Sequence, residues 1–267
     1  MKQKIIQALP PRLFVALKKW GWYGDFKSWE EATQKSVGYN ADNILEKVKE
    51  SLLKVKNGEA VYERDSVLFD EIEYSWEVLS GLMWIAAQNK GELSIIDFGG
   101  SLGSTYYQNK SFLDKLQSVW WNIVEQPNFV EEGKRSFEDD NLKFHFSVDD
   151  CIKNSENHRI QCILFSSVLQ YLEKPFSILE DIVQKQIEYI IIDRTGFTLN
   201  NSVRLTVQKV PAKIYNAIYP CWFFSEKEFI SFFEKNGYEQ IICFSGFDPV
   251  NIPSEQKGFI FKFRHKC

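Results

Sequence analysis

Apolar residues recur at helical spacing in two stretches of the first third of the chain. Ile44, Val48 and Leu52 share one face of Asn40–Lys56, and Asn57-Gly58 stops that helix. Phe69, Ile72, Trp76, Leu79, Met83 and Ala87 predict an amphipathic helix over 67–88, halted by Asn89-Lys90-Gly91. The rhythm then changes to short apolar runs. Leu93–Phe98, Ser118–Val124, Lys143–Phe146, Ile160–Phe165 and Tyr189–Ile192 read as strands, and helical stretches such as Asn128–Phe137 and Val168–Gln184 lie between most of them. Strands that are apolar throughout and alternate with helices predict a parallel sheet covered on both faces. Near the end, Ser225 with Glu228 three residues later predicts a capped helix, its apolar face formed by Phe229, Phe232 and Phe233. Tyr238–Phe244 and Gly258–Arg264 read as two closing strands.

Composition adds limits. The chain has 267 residues, of which 44% are apolar, enough for a sizeable core. A formal net charge of −4 gives no reason to expect a nucleic-acid partner. The five cysteines are widely spaced and include no CxxC, which argues against a disulfide framework and against zinc, and suits a reducing, cytoplasmic location. Lys2, Lys4, Arg12, Lys18 and Lys19 make the N-terminus basic, but Pro10-Pro11 breaks its apolar stretch and no small-residue cleavage site follows. That segment fits either the solvated face of a docking helix or a surface meeting anionic lipid. No apolar run reaches the ~18 residues of a membrane span. The expected division is a helical N-terminal extension or lid over 1–66 and an α/β domain over 67–267.

The sharpest chemical signal is Asp97-Phe98-Gly99-Gly100-Ser101-Leu102-Gly103, where an apolar strand enters a glycine-rich turn. Glycine lets backbone approach a ligand closely and adopt positive φ. In open α/β sheets, ligands bind beyond the carboxyl ends of the strands. The nicotinamide fingerprint is absent, because positions 101 and 104 are serine. Glu125-Gln126 follows the second strand, where an acid can accept from ribose hydroxyls. Asp149-Asp150 follows the third, where an acid can accept from an adenine amino group. Each acid alone also suits a solvated loop or a helix cap, and the glycine loop alone suits a tight structural turn. Together, in this order, they resemble the cofactor pattern of class I S-adenosylmethionine-dependent methyltransferases, with Ser101 in place of the middle glycine.

A narrower resemblance runs from about Tyr62 to the C-terminus. Asp97–Gly103, Ser166–Leu172 with Pro175, Ile191–Thr195 and Tyr219–Ser225 look like segments of a bacterial methyltransferase family of surface-polysaccharide pathways. Gly196 stands where that family is expected to carry proline. The resemblance implies a Rossmann-like, mostly parallel seven-stranded sheet. It further implies S-adenosylmethionine as cofactor, with Asp97, Gly99, Gly100, Ser101, Gly103, Glu125, Gln126, Asp149, Asp150, Ser166 and Gln170 about it. The leading expectation is O-methylation of a sugar or nucleotide-sugar hydroxyl. Methylation of a nitrogen or carboxyl group of another small metabolite, or an inactive cofactor-binding module, are the alternatives.

A hydroxyl acceptor needs a base. Asp193, just past the fifth strand, is the candidate, with Tyr171 and Arg194 to orient or neutralise the acceptor. His145 lies within a strand and reads as structural. Tyr219 and Trp222 offer aromatic faces to a sugar, or else staple the helix at Ser225, and Arg64 offers a cation to a phosphate. Tyr62–Ser66 either closes over the cofactor or caps the next helix. Acids are sparse at the later strand ends, so no metal is expected. A homodimer is compatible with the sequence and not dictated by it.

Overall fold

The computed structural model describes residues 20–36, 41–155, 158–211, 214, 217–246 and 250–264. The basic residues Lys2 to Lys19, Asn40, His265 and Cys267 lie outside them. In chain order the described elements begin with β1 (Gly21–Phe26), α1 (Trp29–Thr33), α2 (Ala41–Lys56), β2 (Tyr62–Arg64), β3 (Val67–Phe69) and α3 (Trp76–Gln88). The α/β alternation follows: β4 (Glu92–Phe98), α4 (Ser104–Leu113), β5 (Ser118–Val124), α5 (Pro127–Ser136), β6 (Leu142–His145), α6 (Val148–Asn154) and β7 (Cys162–Ser166). A 3-10 turn (Leu169–Tyr171), α7 (Pro175–Gln184), β8 (Tyr189–Thr198), β9 (Arg204–Lys209), β10 (Ile218–Phe223), α8 (Glu226–Lys235), β11 (Tyr238–Ser245) and β12 (Ser254–Phe263) complete it.

Seven strands form the central sheet in the order β11-β12-β8-β7-β4-β5-β6. The five from β6 to β8 are parallel, and β12 and β11 pair antiparallel at the far side. Alternation of side chains divides the core into two layers. Ile95, Trp121, Leu164 and Ile191 face α2 to α5, while Ile96, Ile163, Ile190 and Ile192 face α6 to α8. Burial of one such side chain stabilises the fold by roughly 1.5–3 kcal/mol. At α8, Ser225 Oγ accepts from the Glu228 N–H at 3.3 Å, and the rings of Phe224 and Phe229 lie 5.6 Å apart as a staple.

Four expectations are corrected. The segment up to residue 66 is not wholly helical: β1 pairs with β9, and β2 pairs with β3. Helix 67–88 begins at Trp76, because Val67–Phe69 is spent in the β2–β3 hairpin. Asp65 and Ser66, at φ 53° and 67°, form its two-residue turn rather than a helix cap. The run after β8 is no plain connection. Strands β9 and β10, with β1, build a second, three-stranded antiparallel sheet above the carboxyl end of the main one. Gly196 fits this arrangement, since a Cβ there would sit 2.7 Å from the Phe223 ring. Among the described residues, no helix is long and apolar enough to cross a membrane.

Candidate active site

A cleft of about 1520 Å³ opens beyond the carboxyl ends of β4, β5, β7 and β8. Its floor is the turn between β4 and α4. Gly99 adopts φ 72° and donates its N–H to Val124 O at 2.9 Å; a Cβ there would strike the Val168 side chain at 2.4 Å. Ser101 also takes a left-handed conformation, φ 55°, and its backbone N–H reaches the Glu125 carboxylate. A non-glycine residue held at positive φ is stored strain, typical of functional turns. Glu125 accepts from the Gln126 N–H as well, at 2.6 Å. Burial raises the Glu125 carboxyl above its ordinary range, against those two backbone donors.

Beneath the turn, Asp97 is 1% exposed and accepts from the Trp121 indole N–H at 3.1 Å. Burial pushes its carboxyl up to about 7, with Trp121 opposing the rise. At the rim, Asp149 sits in the first turn of α6 and pairs with Lys185 of α7. Asp150 instead faces His145 and Asn154, and His145 Nε2 meets Asn122 Oδ1 at 3.0 Å, so that histidine is built into the sheet edge.

At the ends of β7 and β8, Ser166 Oγ donates to Asp193 Oδ2 at 2.8 Å, and Arg194 Nε lies 3.5 Å from the same oxygen. Gln170 Nε2 donates to Arg194 O at 3.0 Å. Ser167 and Arg194 both adopt left-handed φ, 56° and 47°. Tyr171 Oη donates to Gln208 Oε1 at 2.7 Å, tying the 3-10 turn to the second sheet.

Of the expected site residues, Asp97, Gly99, Gly100, Ser101, Glu125, Gln126, Asp149, Ser166, Gln170, Tyr171, Arg194, Arg64 and Tyr219 line the cleft. Four do not. Gly103 caps α4 at φ 108° with its Cβ position toward Leu142. Asp150 faces His145, and Asp193 lies behind Ser166, 4% exposed. Trp222 points to the opposite face of β10 from Tyr219, three residues away along the strand. Its ring stacks on Trp29 at 6.0 Å, and its N–H donates to Leu172 O. Arg64 is paired with Glu73 at 2.8 Å.

Sequence reasoning gave no role to Glu63. It is 1% exposed, accepts from the Ser66 N–H at 2.6 Å and from Ser104 Oγ at 2.5 Å, and so clasps the β2–β3 hairpin to the start of α4. Burial pushes its carboxyl up to about 6. No periodicity marks Tyr62–Arg64 in the sequence, because Tyr62 and its charged neighbour Glu63 are both buried. Trp22, Trp29, Gln208 and Gln256 also reach the cleft, from segments far apart in sequence.

No family model matches the sequence, and no curated protein matches it. Solved structures do. A single-site variant of LepI, in complex with SAH and a substrate analogue, is 14% identical with a TM-score of 0.51 over 97% of this chain and 64% of that one. The fold is that of the class I methyltransferases. The chain thus spans less than two thirds of the LepI chain it resembles. The SAH-bound N-terminal domain of EvdMO1 is 11% identical, TM-score 0.48, over 85% of this chain and 98% of that one. Magnesium protoporphyrin IX methyltransferase from Synechocystis PCC 6803, with bound SAM, is 10% identical, TM-score 0.47, over 85% and 100%. On the methyltransferase fold, the turn Gly99–Gly103 and Glu125 stand together at the mouth of the sheet.

Proposed function

We propose that this chain is an S-adenosylmethionine-dependent O-methyltransferase acting on a hydroxyl of a sugar or nucleotide sugar. The observation that carries the cofactor reading is a strained, left-handed Ser101 whose N–H reaches the half-buried Glu125 across the carboxyl ends of β4 and β5. The donor set suits the cofactor. Glu125 offers carboxylate oxygens to a ribose diol, the backbone of Gly99–Gly103 admits close approach, and Asp149 offers an acceptor to an adenine amino group. Bound there, the cofactor supplies an electrophilic methyl group on a sulfonium.

The chain's own part is to position the acceptor hydroxyl and take its proton. Ser166 lines the cleft and already donates to Asp193. The acceptor proton passes to Ser166 Oγ as the Ser166 proton moves to Asp193, and the nearby Arg194 guanidinium steadies the charge. Cytoplasmic action, supported by the cysteine pattern, and an acceptor from surface-polysaccharide synthesis, supported by the sequence resemblance, belong to the same proposal. The test has two arms. Calorimetry measures S-adenosylhomocysteine binding, and mass spectrometry looks for a 14-dalton gain on a panel of nucleotide hexoses. Binding with transfer only to amines or carboxylates removes the O-methyl reading. Absence of binding removes the whole proposal.

A further inference from the structure

A cleft of about 1520 Å³ has room for an acceptor beside the cofactor, against the roughly 300–1,000 Å³ usual for one small-molecule site. Pairing in the second sheet sets Trp22 of β1 directly opposite Gln208 of β9, and Gln208 directly opposite Tyr219 of β10. Directly opposed residues share a face of a sheet, so the three form one row. The other face carries Leu205, Val207, Ile218 and Trp222, which pack with Trp29 in a small core of their own. Trp22, Gln208 and Tyr219 all line the cleft.

Gln208 and Tyr219 are half-buried and so within reach of a ligand, while Trp22, 7% exposed, backs the row. Tyr171 meets Gln208 from the turn after β7. Its Oη donates to Gln208 Oε1 at 2.7 Å, and its ring stands edge-on to that of Tyr219 at 5.2 Å. The bond to Oε1 fixes the amide plane and leaves Nε2 turned away from Tyr171. Among the described residues nothing accepts from Gln208 Nε2, and that atom is not closed off from solvent. The donor is therefore oriented for a ligand oxygen before the ligand arrives, which lowers the ordering cost of binding.

We propose that Gln208 is an acceptor-binding residue, whose Nε2 donates to a hydroxyl oxygen of the sugar ring at a position other than the one methylated. This rests on the sugar methyltransferase reading above. The oxygen that attacks the sulfonium methyl must keep its lone pair. An N–H donated to that oxygen would draw the pair away, so the Gln208 amide suits a neighbouring hydroxyl. Tyr171 acts through Gln208 as a positioning residue. It stands on the 3-10 turn that follows β7, and β7 ends at Ser166, the residue placed beside the reacting hydroxyl. The row thus sets the orientation of the ring relative to the proton path without taking part in it.

The experiment compares wild type, Gln208→Met and Tyr171→Phe in methyl transfer to UDP-glucose, dTDP-glucose, GDP-mannose and methyl glucoside, and then to the monodeoxy analogues of the hexose that reacts. S-adenosylhomocysteine affinity and melting temperature are measured alongside. Methionine matches the length of glutamine and lacks its donor, so the acceptor KM should rise about tenfold in Gln208→Met. Tyr171→Phe keeps the donor and should raise it less. S-adenosylhomocysteine affinity and melting temperature stay near wild type in Gln208→Met. On the one analogue that lacks the recognised hydroxyl, wild type and Gln208→Met have equal KM. Three results overturn this proposal and leave the methyltransferase reading standing: an unchanged KM in Gln208→Met, equal rises in the two variants, or a Gln208→Met penalty that persists on every analogue still methylated. Transfer to none of the hexoses removes the sugar reading and this proposal with it. Failure of the wild type to bind S-adenosylhomocysteine removes the cofactor reading beneath both.

Discussion

Ser101 is where a single residue bears most visibly on function. A serine in the left-handed region costs roughly 1–2 kcal/mol, and glycine would remove that cost at some loss of unfolded-state entropy. Ser101→Gly should therefore raise stability by up to about 1 kcal/mol in urea titrations; a lower midpoint contradicts stored strain at this turn. Glu125→Ala should cost about 1–3 kcal/mol of S-adenosylhomocysteine affinity by calorimetry, the range for hydrogen bonds to a charged group. Asp97 sets a pH dependence. Its folded-state pKa, about 7, lies above the ordinary 3.8, so the folded chain holds a proton that the unfolded chain releases. The stability this contributes is complete below about pH 4, declines as pH rises toward 7 and is lost above it. Asp97→Asn should flatten that decline between about pH 4.5 and 7.5; parallel curves for the two proteins refute the shift.

Among elements, β1 is the edge strand of the second sheet and brings Trp22 to the cleft. Asn251 holds its outer edge in the manner of a neighbouring strand: Trp22 N–H donates to Asn251 Oδ1 at 2.7 Å, and Asn251 Nδ2 donates to Trp22 O at 3.0 Å. Arg204 of β9 holds its inner side through two bonds to Gly24 O. Loosening β1 should disturb the row of Trp22, Gln208 and Tyr219 and leave the glycine turn alone. Asn251→Ala should thus raise the acceptor KM severalfold with S-adenosylhomocysteine affinity unchanged; equal losses in both measurements show the row and the turn to be one unit. A packing test belongs to α5. A Cβ on Gly133 would sit 2.3 Å from the Phe144 ring of β6. Gly133→Ala should lower stability by about 1–3 kcal/mol, although alanine favours a helix by up to about 1 kcal/mol.

At the scale of the whole molecule, the cleft is walled by the carboxyl ends of the main sheet and by residues of the second sheet. Among the described residues no three His, Cys, Asp or Glu side chains converge as a metal site. The absence of a metal requirement is an expectation with a direct check: turnover should survive EDTA. A requirement for added Mg²⁺ would falsify that expectation.

The sequence by itself determined the parallel strands of the main sheet, the glycine turn and the acids after β5 and β6. Each is a local pattern: five apolar runs of strand length, a glycine cluster at a strand end, a carboxylate shortly past a strand end. Ser118–Val124 was legible to the residue because five of its seven residues are apolar and it lies between polar segments. The capped helix at Ser225 was legible for the same reason, since a cap and its staple lie within five residues. The tertiary structure alone decided the rest. Strand β1 owes its state to pairing with β9 across about 180 residues, which no local window contains. The facing of Trp222 away from Tyr219 follows once Ile218–Phe223 is a strand, since residues three apart point to opposite faces. Asp193 stands just past an apolar run, yet its place behind Ser166 depends on β8 continuing to Thr198 beside β12. Periodicity records which face of an element is buried; which neighbour buries it is set by long-range packing.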